Sequence, residues 1–283
     1  MKVGIRSKGY LTRYGFKEGL RRMKLQGYET IDYQEFVDTN NPLFSMNDAD
    51  FAAEMKAQRA EIESVGIEII QTHGPWRWPP MDATKEDREE RFEKMSRAIL
   101  GTALLGSHNF VIHPILPWGA SQDPEPQKLH DMNLEFMGRL CDVARQHDVI
   151  VCFENMPFRN IGLATPQACL AFAEEMNSPF FKICLDTGHC SVLGLSPADC
   201  VRQLGTKWLQ VLHVHDNNGA NDLHWVPYLG TIDWQDFTNA LQEIGFNGSV
   251  SLETYIPKGF PEQLWAVQEE SLFKSVLKIA GRL

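Results

Sequence analysis

Residues 149–154 of the chain read VIVCFE, and residues 181–186 read FKICLD. Each stretch is a short, mostly apolar run that is followed at once by a carboxylate, Glu154 in the first and Asp186 in the second. Runs of this length and composition predict β-strands that are buried on both faces, as in parallel sheets. Two neighbouring strands that end in the same way indicate a repeated structural unit.

Similar runs recur along the whole chain and predict eight strands. These are Lys2–Arg6, Glu29–Tyr33, Ile67–Thr72, Asn109–His113, Val149–Phe153, Phe181–Leu185, Gln210–Val214 and Ser249–Leu252. The stretches between the strands have helical periodicity, most clearly residues 48–65, 85–105 and 129–147. Thr165-Pro166 and Ser196-Pro197 are typical helix starts, with a capping residue before a proline.

Eight alternating strands and helices in 283 residues predict an α/β fold, a single (β/α)8 TIM barrel domain over residues 1–283. A doubly wound open sheet is the alternative. Such sheets normally carry a glycine-rich phosphate turn after the first strand, and Ser7-Lys8-Gly9-Tyr10 is not such a turn.

The composition excludes several classes of protein. With 43% hydrophobic and 23% charged residues, the chain is neither disordered nor fibrous. Apolar runs are too short to cross a bilayer, and the start of the sequence shows no secretory signal. Six cysteines without paired spacing predict reduced thiols in a cytoplasmic protein. The formal charge of −10 argues against a partner that is bound mainly through its phosphates, so we expect no nucleic acid, and the short apolar runs predict no membrane partner.

Four consecutive predicted strands end in a carboxylate or an imidazole: Glu154, Asp186, His215 and Glu253. In a closed barrel the carboxyl ends of all strands meet at one mouth, so these groups should converge. A single carboxylate after a strand can equally cap the next helix, but four in a row favour a shared site. Three carboxylates would repel each other unless a cation lies between them. The donor set suits Mn²⁺, Mg²⁺ or Co²⁺ and is compatible with Zn²⁺.

Further polar residues follow the same strand ends. His73 and His113 close the third and fourth strands, and His189 comes three residues after Asp186. Asp222 and His224 lie in the loop after the seventh strand. For His213 we expect a structural role, with the side chain turned away from His215 towards the helix layer. Trp76, Trp78, Trp118 and Trp225 flank the expected mouth, where they either pack loops or face a sugar ring.

Several segments, taken together and in order, resemble the xylose isomerase-like TIM barrels. This superfamily includes sugar and sugar-phosphate isomerases and epimerases, and the endonuclease IV type of AP endonuclease. The resemblance covers roughly residues 70 to 255. Its segments are Phe153-Glu154-Asn155, Cys184-Leu185-Asp186-Thr187-Gly188-His189, His213-Val214-His215-Asp216-Asn217, Leu229-Gly230-Thr231-Ile232-Asp233-Trp234 and Leu252-Glu253.

The resemblance implies a metal-dependent isomerase or epimerase of a sugar, sugar phosphate or cyclitol. The family's metal ligands correspond here to Glu154, Asp186, His215 and Glu253. The two glutamates would move protons on opposite faces of a substrate carbon, through an enediolate that the metal stabilises. Substrate-binding roles are then expected for His73, His113, His189, His224 and Arg159, with Lys258 as a further candidate. The resemblance is compatible with a homo-oligomer without fixing the number of subunits.

Two other activities stay open at this point. One is a metal-dependent lyase or dehydratase on a sugar-like polyol. The other is a trinuclear-zinc AP endonuclease, whose remaining ligand sets would be His73, His113 and Glu154, and His189, Asp222 and His224. The charge of −10 and the segment His215-Asp216-Asn217-Asn218-Gly219 favour the sugar enzymes. A barrel that only binds a ligand would not need both Glu154 and Glu253.

Overall fold

The computed structural model describes residues 1–80, 82–254, 256 and 259–283, so Lys258 lies outside the described residues. Eight strands form one sheet. They are β1 (Lys2–Arg6), β2 (Thr30–Tyr33), β3 (Glu68–His73), β4 (Asn109–Ile112), β5 (Ile150–Glu154), β6 (Phe181–Asp186), β7 (Leu209–His213) and β8 (Ser249–Leu252). All eight predicted strands are confirmed. No observed strand end differs from the predicted end by more than one residue.

The described part of the chain also contains ten α-helices and a 3-10 helix at Pro42–Phe44. The helices are α1 (Lys8–Tyr14), α2 (Phe16–Gln26), α3 (Asp48–Ser64), α4 (Lys85–Leu104), α5 (Pro126–Gln146), α6 (Pro166–Met176), α7 (Thr187–Val192), α8 (Pro197–Trp208), α9 (Trp234–Glu243) and α10 (Glu262–Ile279). Thr165 and Ser196 cap α6 and α8 as the sequence predicts, each accepting a hydrogen bond from a backbone N–H of the first turn. None of the described helices is long and apolar enough to cross a membrane.

The strands pair in parallel in the order β7-β6-β5-β4-β3-β2-β1-β8. The ends of this sheet meet just beyond β7, where Val214 bridges to Leu252. The Val214 N–H donates to the Ser251 carbonyl at 2.9 Å, and the Glu253 N–H donates to the Val214 carbonyl at 3.0 Å. These bonds join β7 to β8, the two edge strands of the sheet, and so close the predicted (β/α)8 TIM barrel.

The interior of the barrel is filled in layers because successive side chains on a strand point to opposite faces. Val3 and Ile5 of β1 point to the core between sheet and helices. Gly4 lies between them on the inside, where an added Cβ would come within 2.2 Å of Thr30 Oγ1. A small apolar layer inside the barrel is formed by Val111, Cys152, Cys184 and Val211. Two residues further along the same four strands stand His113, Glu154, Asp186 and His213.

Asp216 organises the long loop between β7 and α9. Its buried carboxylate accepts hydrogen bonds from four backbone N–H groups and one indole. The donors are Asn217 at 2.9 Å, Tyr228 at 3.1 Å, Gly230 at 3.0 Å, Ile232 at 3.3 Å and Trp234 Nε1 at 2.8 Å. Gly230 is needed at this position because a Cβ there would lie 2.1 Å from the Asn217 carbonyl oxygen. One carboxylate thus fixes the loop that carries Asp222 and His224 to the mouth.

Replacing the Asp216 carboxylate tests how much it contributes to the stability of the fold. Asp216→Ala leaves several buried donors without an acceptor, so we expect the free energy of unfolding to fall by about 3 kcal/mol. Urea unfolding of the two proteins measures the difference. The control is Asp142→Asn on α5, whose side chain is 69% exposed and should change stability by less than ~0.5 kcal/mol. Equal stability of Asp216→Ala and the unmodified chain would contradict the interpretation.

Candidate active site

The carboxyl ends of the strands surround a cavity of about 440 Å³, within the size range of small-molecule sites. Its polar lining comes from seven residues that the sequence analysis singled out, and from Arg6 and Gln34 at the ends of β1 and β2. The lining residues are Arg6, Gln34, Val37, His73, Trp76, Trp78, His113, Glu154, Met156, Pro157, Phe158, His189, Asp222, His224 and Glu253. The structure therefore brings the predicted mouth residues together in one concave site.

Three carboxylates and an imidazole form a four-residue cluster at this mouth. Ligand atoms of Glu154, Asp186, His213 and Glu253 all lie within 4.8 Å of one another. His215 adjoins the cluster, with Nε2 at 3.1 Å from the Asp186 carboxylate. Converging, buried oxygen and imidazole donors are what a divalent cation requires, so the residues present fit such an ion.

The prediction that the His213 side chain turns towards the helix layer is wrong. Its ring lies inside the barrel, with Nδ1 at 2.8 Å from Glu154 Oε1 and Nε2 at 3.0 Å from Asp32 Oδ2. The reason is the two-residue period of a strand, which places His213 and His215 on the same face. The residue that faces the helix layer is Val214, which packs in the apolar core.

Asp186 and His189 are held by the junction of β6 and α7. Asp186 caps α7, because its Oδ1 accepts from the His189 N–H at 2.7 Å. Asn155 clamps the Asp186 backbone, accepting from its N–H at 2.8 Å and donating to its carbonyl at 3.1 Å. The Asn155 carbonyl also accepts from His189 Nδ1 at 2.7 Å, which turns Nε2 towards the cavity. Asn155 was part of a motif in the sequence, but its role as a clamp is visible only in the structure.

Asp222 gathers three imidazoles on one side of the mouth. Its carboxylate lies 3.4 Å from His189 Nε2, 3.6 Å from His215 Nε2 and 3.3 Å from His224 Nε2. The rings of His215 and His224 stack at 4.1 Å between centroids. His224 Nδ1 donates to the Glu253 carbonyl at 2.6 Å, which ties the loop to the end of β8.

The opposite side of the mouth contains a second imidazole pair. His113 Nε2 lies 2.9 Å from Glu154 Oε2 and 3.2 Å from His73 Nε2. His73 Nε2 itself is 3.5 Å from the same carboxylate oxygen. Trp76 packs edge-on against the His113 ring at 4.4 Å, and Trp78 stacks on Phe158 at 6.0 Å. An aromatic wall therefore borders the polar groups, which is the combination typical of small-molecule sites.

Burial and neighbouring charges shift the pKa values of these groups in opposite directions. Burial raises the pKa of Glu154, but His213 and His113 more than offset this and hold it well below its usual range. Burial lowers the pKa of His224, yet Asp222 and Glu253 raise it overall to about 9. Burial prevails at His113 and lowers its pKa to about 4. In the absence of a metal, imidazolium charge thus balances the carboxylates, and metal binding would release protons.

Arg159 is placed differently from the other predicted residues. It is exposed, donates to the Val192 carbonyl and is not among the residues that line the cavity. Its substrate-binding role stays a prediction. Trp118 packs in a cluster with Leu116 and Met156, whereas Trp225 is 40% exposed and pairs with the backbone of Asp216.

The sequence analysis missed Arg6, Asp32 and Gln34, which lie at or next to the ends of β1 and β2. Arg6 lies in the cavity with Nη1 at 3.9 Å from Glu253 Oε1, and its buried Nε has no hydrogen-bond partner among the described residues. Gln34 lines the cavity, and its Nε2 donates to Asp32 Oδ2 at 3.1 Å. The available signal was position: each lies at or just past a strand end, as the recognised residues do.

The chain matches the model of a family described as xylose isomerase-like TIM barrel over residues 20–275. It is 28% identical over 222 residues to an uncharacterised protein of Methanocaldococcus jannaschii, covering 76% of this chain and 72% of that protein. It is 24% identical over 213 residues to a D-psicose 3-epimerase of Agrobacterium fabrum, covering 73% and 71% of the two chains. A solved D-tagatose 3-epimerase-like protein superposes with a TM-score of 0.74 at 23% identity, over 99% of this chain and 98% of its own.

Gly188 provides a test of the contact between α7 and His215. A Cβ on Gly188 would lie 1.9 Å from His215 Cε1, so Gly188→Ala must displace the ring. We expect affinity for added Mn²⁺ to fall by roughly 10- to 100-fold, as when the surroundings of a metal ligand are disturbed. Isothermal titration of the metal-stripped protein measures this. Gly138→Ala on α5 is the control, since nothing lies within 4 Å of its added Cβ. Unchanged affinity in Gly188→Ala would show that His215 does not support the metal site.

Proposed function

The chain belongs to the xylose isomerase-like TIM barrel family, and from that membership and the geometry of the mouth we propose that it is a divalent-metal-dependent isomerase or epimerase. Its substrate is a sugar or a related polyol. Its metal ligands are Glu154, Asp186, Glu253 and His213, whose ring joins these carboxylates, whereas the predicted ligand His215 adjoins the group. The similarity to a D-psicose 3-epimerase supports an enzyme that acts on sugars.

One observation carries the proposal: Glu154 and Glu253 reach the same buried point from β5 and β8. Their carboxylate oxygens, with that of Asp186, lie within 4.8 Å of one another. These two strands are separated by β6 and β7 in the barrel. The two glutamates therefore approach a bound molecule from different sides, which is the arrangement that proton removal and return on opposite faces requires.

The chain's own residues have distinct tasks in this mechanism. A bound divalent cation supplies the charge that polarises a carbonyl and the adjacent hydroxyl. One glutamate removes the proton from the carbon next to the carbonyl, and the other delivers a proton to the far face. Return to the same carbon inverts it and gives an epimer, whereas return to the adjacent carbon gives aldose–ketose isomerisation. His189, with Nδ1 engaged by the Asn155 carbonyl, presents Nε2 to a substrate oxygen.

The cavity walls favour an unphosphorylated substrate. Arg6 is the sole Lys or Arg among the described residues that line the cavity, and it faces Glu253. Trp76, Trp78 and Phe158 offer aromatic faces on which the C–H groups of a sugar ring can pack. A substrate screen that turned over phosphorylated sugars alone would overturn this preference.

A trinuclear-zinc AP endonuclease is the second candidate, because the structure brings its remaining ligand sets together. His73 and His113 adjoin Glu154, and Asp222 lies within 3.4 Å of both His189 and His224. A mouth that grips DNA needs several cationic side chains, and the described lining offers Arg6 alone. Elemental analysis separates the two activities: one Mn, Mg or Co per chain supports the sugar enzyme, and three Zn the nuclease.

Exchange of substrate protons tests the roles of the glutamates. Glu154→Gln and Glu253→Gln should each abolish exchange of the α-proton with solvent while part of the metal binding is kept, because an amide cannot act as the base but still offers an oxygen ligand. Proton NMR in D₂O measures the exchange. Glu125→Gln, an exposed position before α5, is the control. Full exchange in either active-site variant contradicts its assignment.

Removal of the metal tests the whole mechanism. Asp186→Ala and His213→Ala should lose the metal and, with it, the thermal stability that metal binding adds. Addition of a chelator to the unmodified chain should lower its Tm to the same level and stop turnover, and added Mn²⁺ should restore both. Normal turnover in the chelated sample would exclude this mechanism.

A further inference from the structure

Arg6 brings a guanidinium group into the mouth from the end of β1. Because Ile5 points to the core between sheet and helices, the next side chain, that of Arg6, points to the inside of the barrel and lines the cavity. The residue after it fixes the backbone there: the Ser7 N–H donates to the Asp32 carbonyl at 2.9 Å, and Ser7 Oγ accepts from the Gln34 N–H at 3.1 Å. The guanidinium group is therefore presented from a well-anchored strand end.

Little of the hydrogen-bonding capacity of Arg6 is used inside the chain. The exposed fraction of its side chain is 19%, and its buried Nε has no hydrogen-bond partner among the described residues. In the described part of the chain, Glu253 is the sole carboxylate within 4 Å of the guanidinium group, with Oε1 at 3.9 Å from Nη1. This distance is too long for a hydrogen bond. Since a guanidinium group carries five N–H donors in a rigid fork, Arg6 can donate to a ligand that enters the cavity.

Glu253 is shared with other groups and does not serve Arg6 alone. Its carboxylate belongs to the four-residue cluster with Glu154, Asp186 and His213, and its second oxygen lies 3.4 Å from His213 Nδ1. A divalent cation held by that cluster is a stronger partner for the carboxylate than a guanidinium group at 3.9 Å. The positive charge of Arg6 then lacks a counter-charge, and a largely buried charge without one is costly. An anionic group of a bound substrate would supply it.

A carboxylate fits this position better than a phosphate group or a hydroxyl group. The planar fork of a guanidinium group matches the two oxygens of a carboxylate through parallel hydrogen bonds. A phosphate dianion carries more charge and more acceptor oxygens, and the cavity wall, as far as the structure describes it, contains no second Lys or Arg. A neutral hydroxyl group would accept a hydrogen bond from Arg6 but would leave its positive charge unbalanced.

We propose that Arg6 is a specificity-determining residue that binds a carboxylate of the substrate, so that the substrate class is the sugar acids. The carbonyl end of such a substrate lies at the cluster of Glu154, Asp186 and Glu253, and its acid group lies at the end of β1. The assignment of a sugar acid rests on the proposed function, whereas the binding of a carboxylate by Arg6 can be measured without turnover.

Two matched pairs of sugars test the preference for an acid group. D-fructuronate differs from D-fructose, and D-tagaturonate from D-tagatose, in a terminal carboxylate that replaces a CH₂OH group. We expect the Mn²⁺-loaded protein to bind the acid of at least one pair roughly 10- to 100-fold more tightly than its neutral partner, as is typical of hydrogen bonds between charged groups. Isothermal titration measures the four dissociation constants. Equal affinities within both pairs, or binding of none of the four sugars, overturn the proposal.

Variants of Arg6 assign the preference to this side chain. Arg6→Gln should lower the affinity for the acid roughly 10- to 100-fold and that for the neutral sugar by less than about 3-fold. Arg6→Lys keeps the charge without the fork, so its affinity for the acid should fall between those of Arg6→Gln and the unmodified protein. Elemental analysis checks that the variants retain Mn²⁺.

The matched control is Arg145→Gln on α5, which changes the net charge equally. Its side chain is 64% exposed, and the variant should keep the preference for the acid. An equal loss of affinity for both sugars in Arg6→Gln would show that Arg6 acts through Glu253 alone, and would overturn the proposal. Loss of the preference in Arg159→Gln, with Arg6→Gln unaffected, would place the carboxylate at Arg159 and overturn it as well.

A crystal structure of the metal-loaded, unmodified chain with the bound acid provides a readout that does not depend on the folding of any variant. We expect the carboxylate oxygens of the sugar acid within about 3.2 Å of the Arg6 nitrogens. A carboxylate that binds elsewhere in the mouth, or to the metal alone, contradicts the proposal. Carboxylate-dependent binding without exchange of any substrate proton would instead contradict the proposed function and leave the role of Arg6 supported.

Discussion

Glu154, Asp186 and Glu253 place three carboxylates within 4.8 Å of one another in a buried mouth, and the surrounding residues offset their repulsion. At such separations each like-charged pair costs on the order of 4 kcal/mol, even with an effective dielectric constant of ~20. The imidazoles of His189, His213 and His224, whose pKa values are raised, supply balancing charge in the chain itself. Because the three carboxylates need positive charge close to them, a divalent cation binds favourably at the mouth.

The geometry of the barrel brings the three carboxylates and their balancing groups together. Parallel strands all end at one side, and alternate side chains point inward, so each strand delivers one polar group to the mouth. The layer beneath, built from Val111, Cys152, Cys184 and Val211, is apolar and holds the polar layer in place from below. Loops then add the groups that strands do not supply, and Asp216 fixes the loop that brings Asp222 and His224.

Much of the fold and site could be predicted because both depend on local patterns. A buried parallel strand has a recognisable composition, and the residue that follows it is easily identified. Glu154, Asp186, His215 and Glu253 were found in this way. The direction of the His213 side chain was wrongly predicted. Residues two apart on a strand lie on the same face, so His213 and His215 both point into the barrel. Arg6, Asp32 and Gln34 were overlooked because the first two strands belong to the part of the chain where the family's motifs are weakest.

The sequence by itself determined the eight strands, the polar residues that follow them and the family. Each of these depends on a local pattern of a few consecutive residues. The tertiary structure alone decided which groups meet: that Asp32 of β2 reaches His213 of β7, and that Asp222 gathers three histidines. Such contacts join residues as far as 181 positions apart. They depend on barrel closure and on loop paths, which no local pattern specifies.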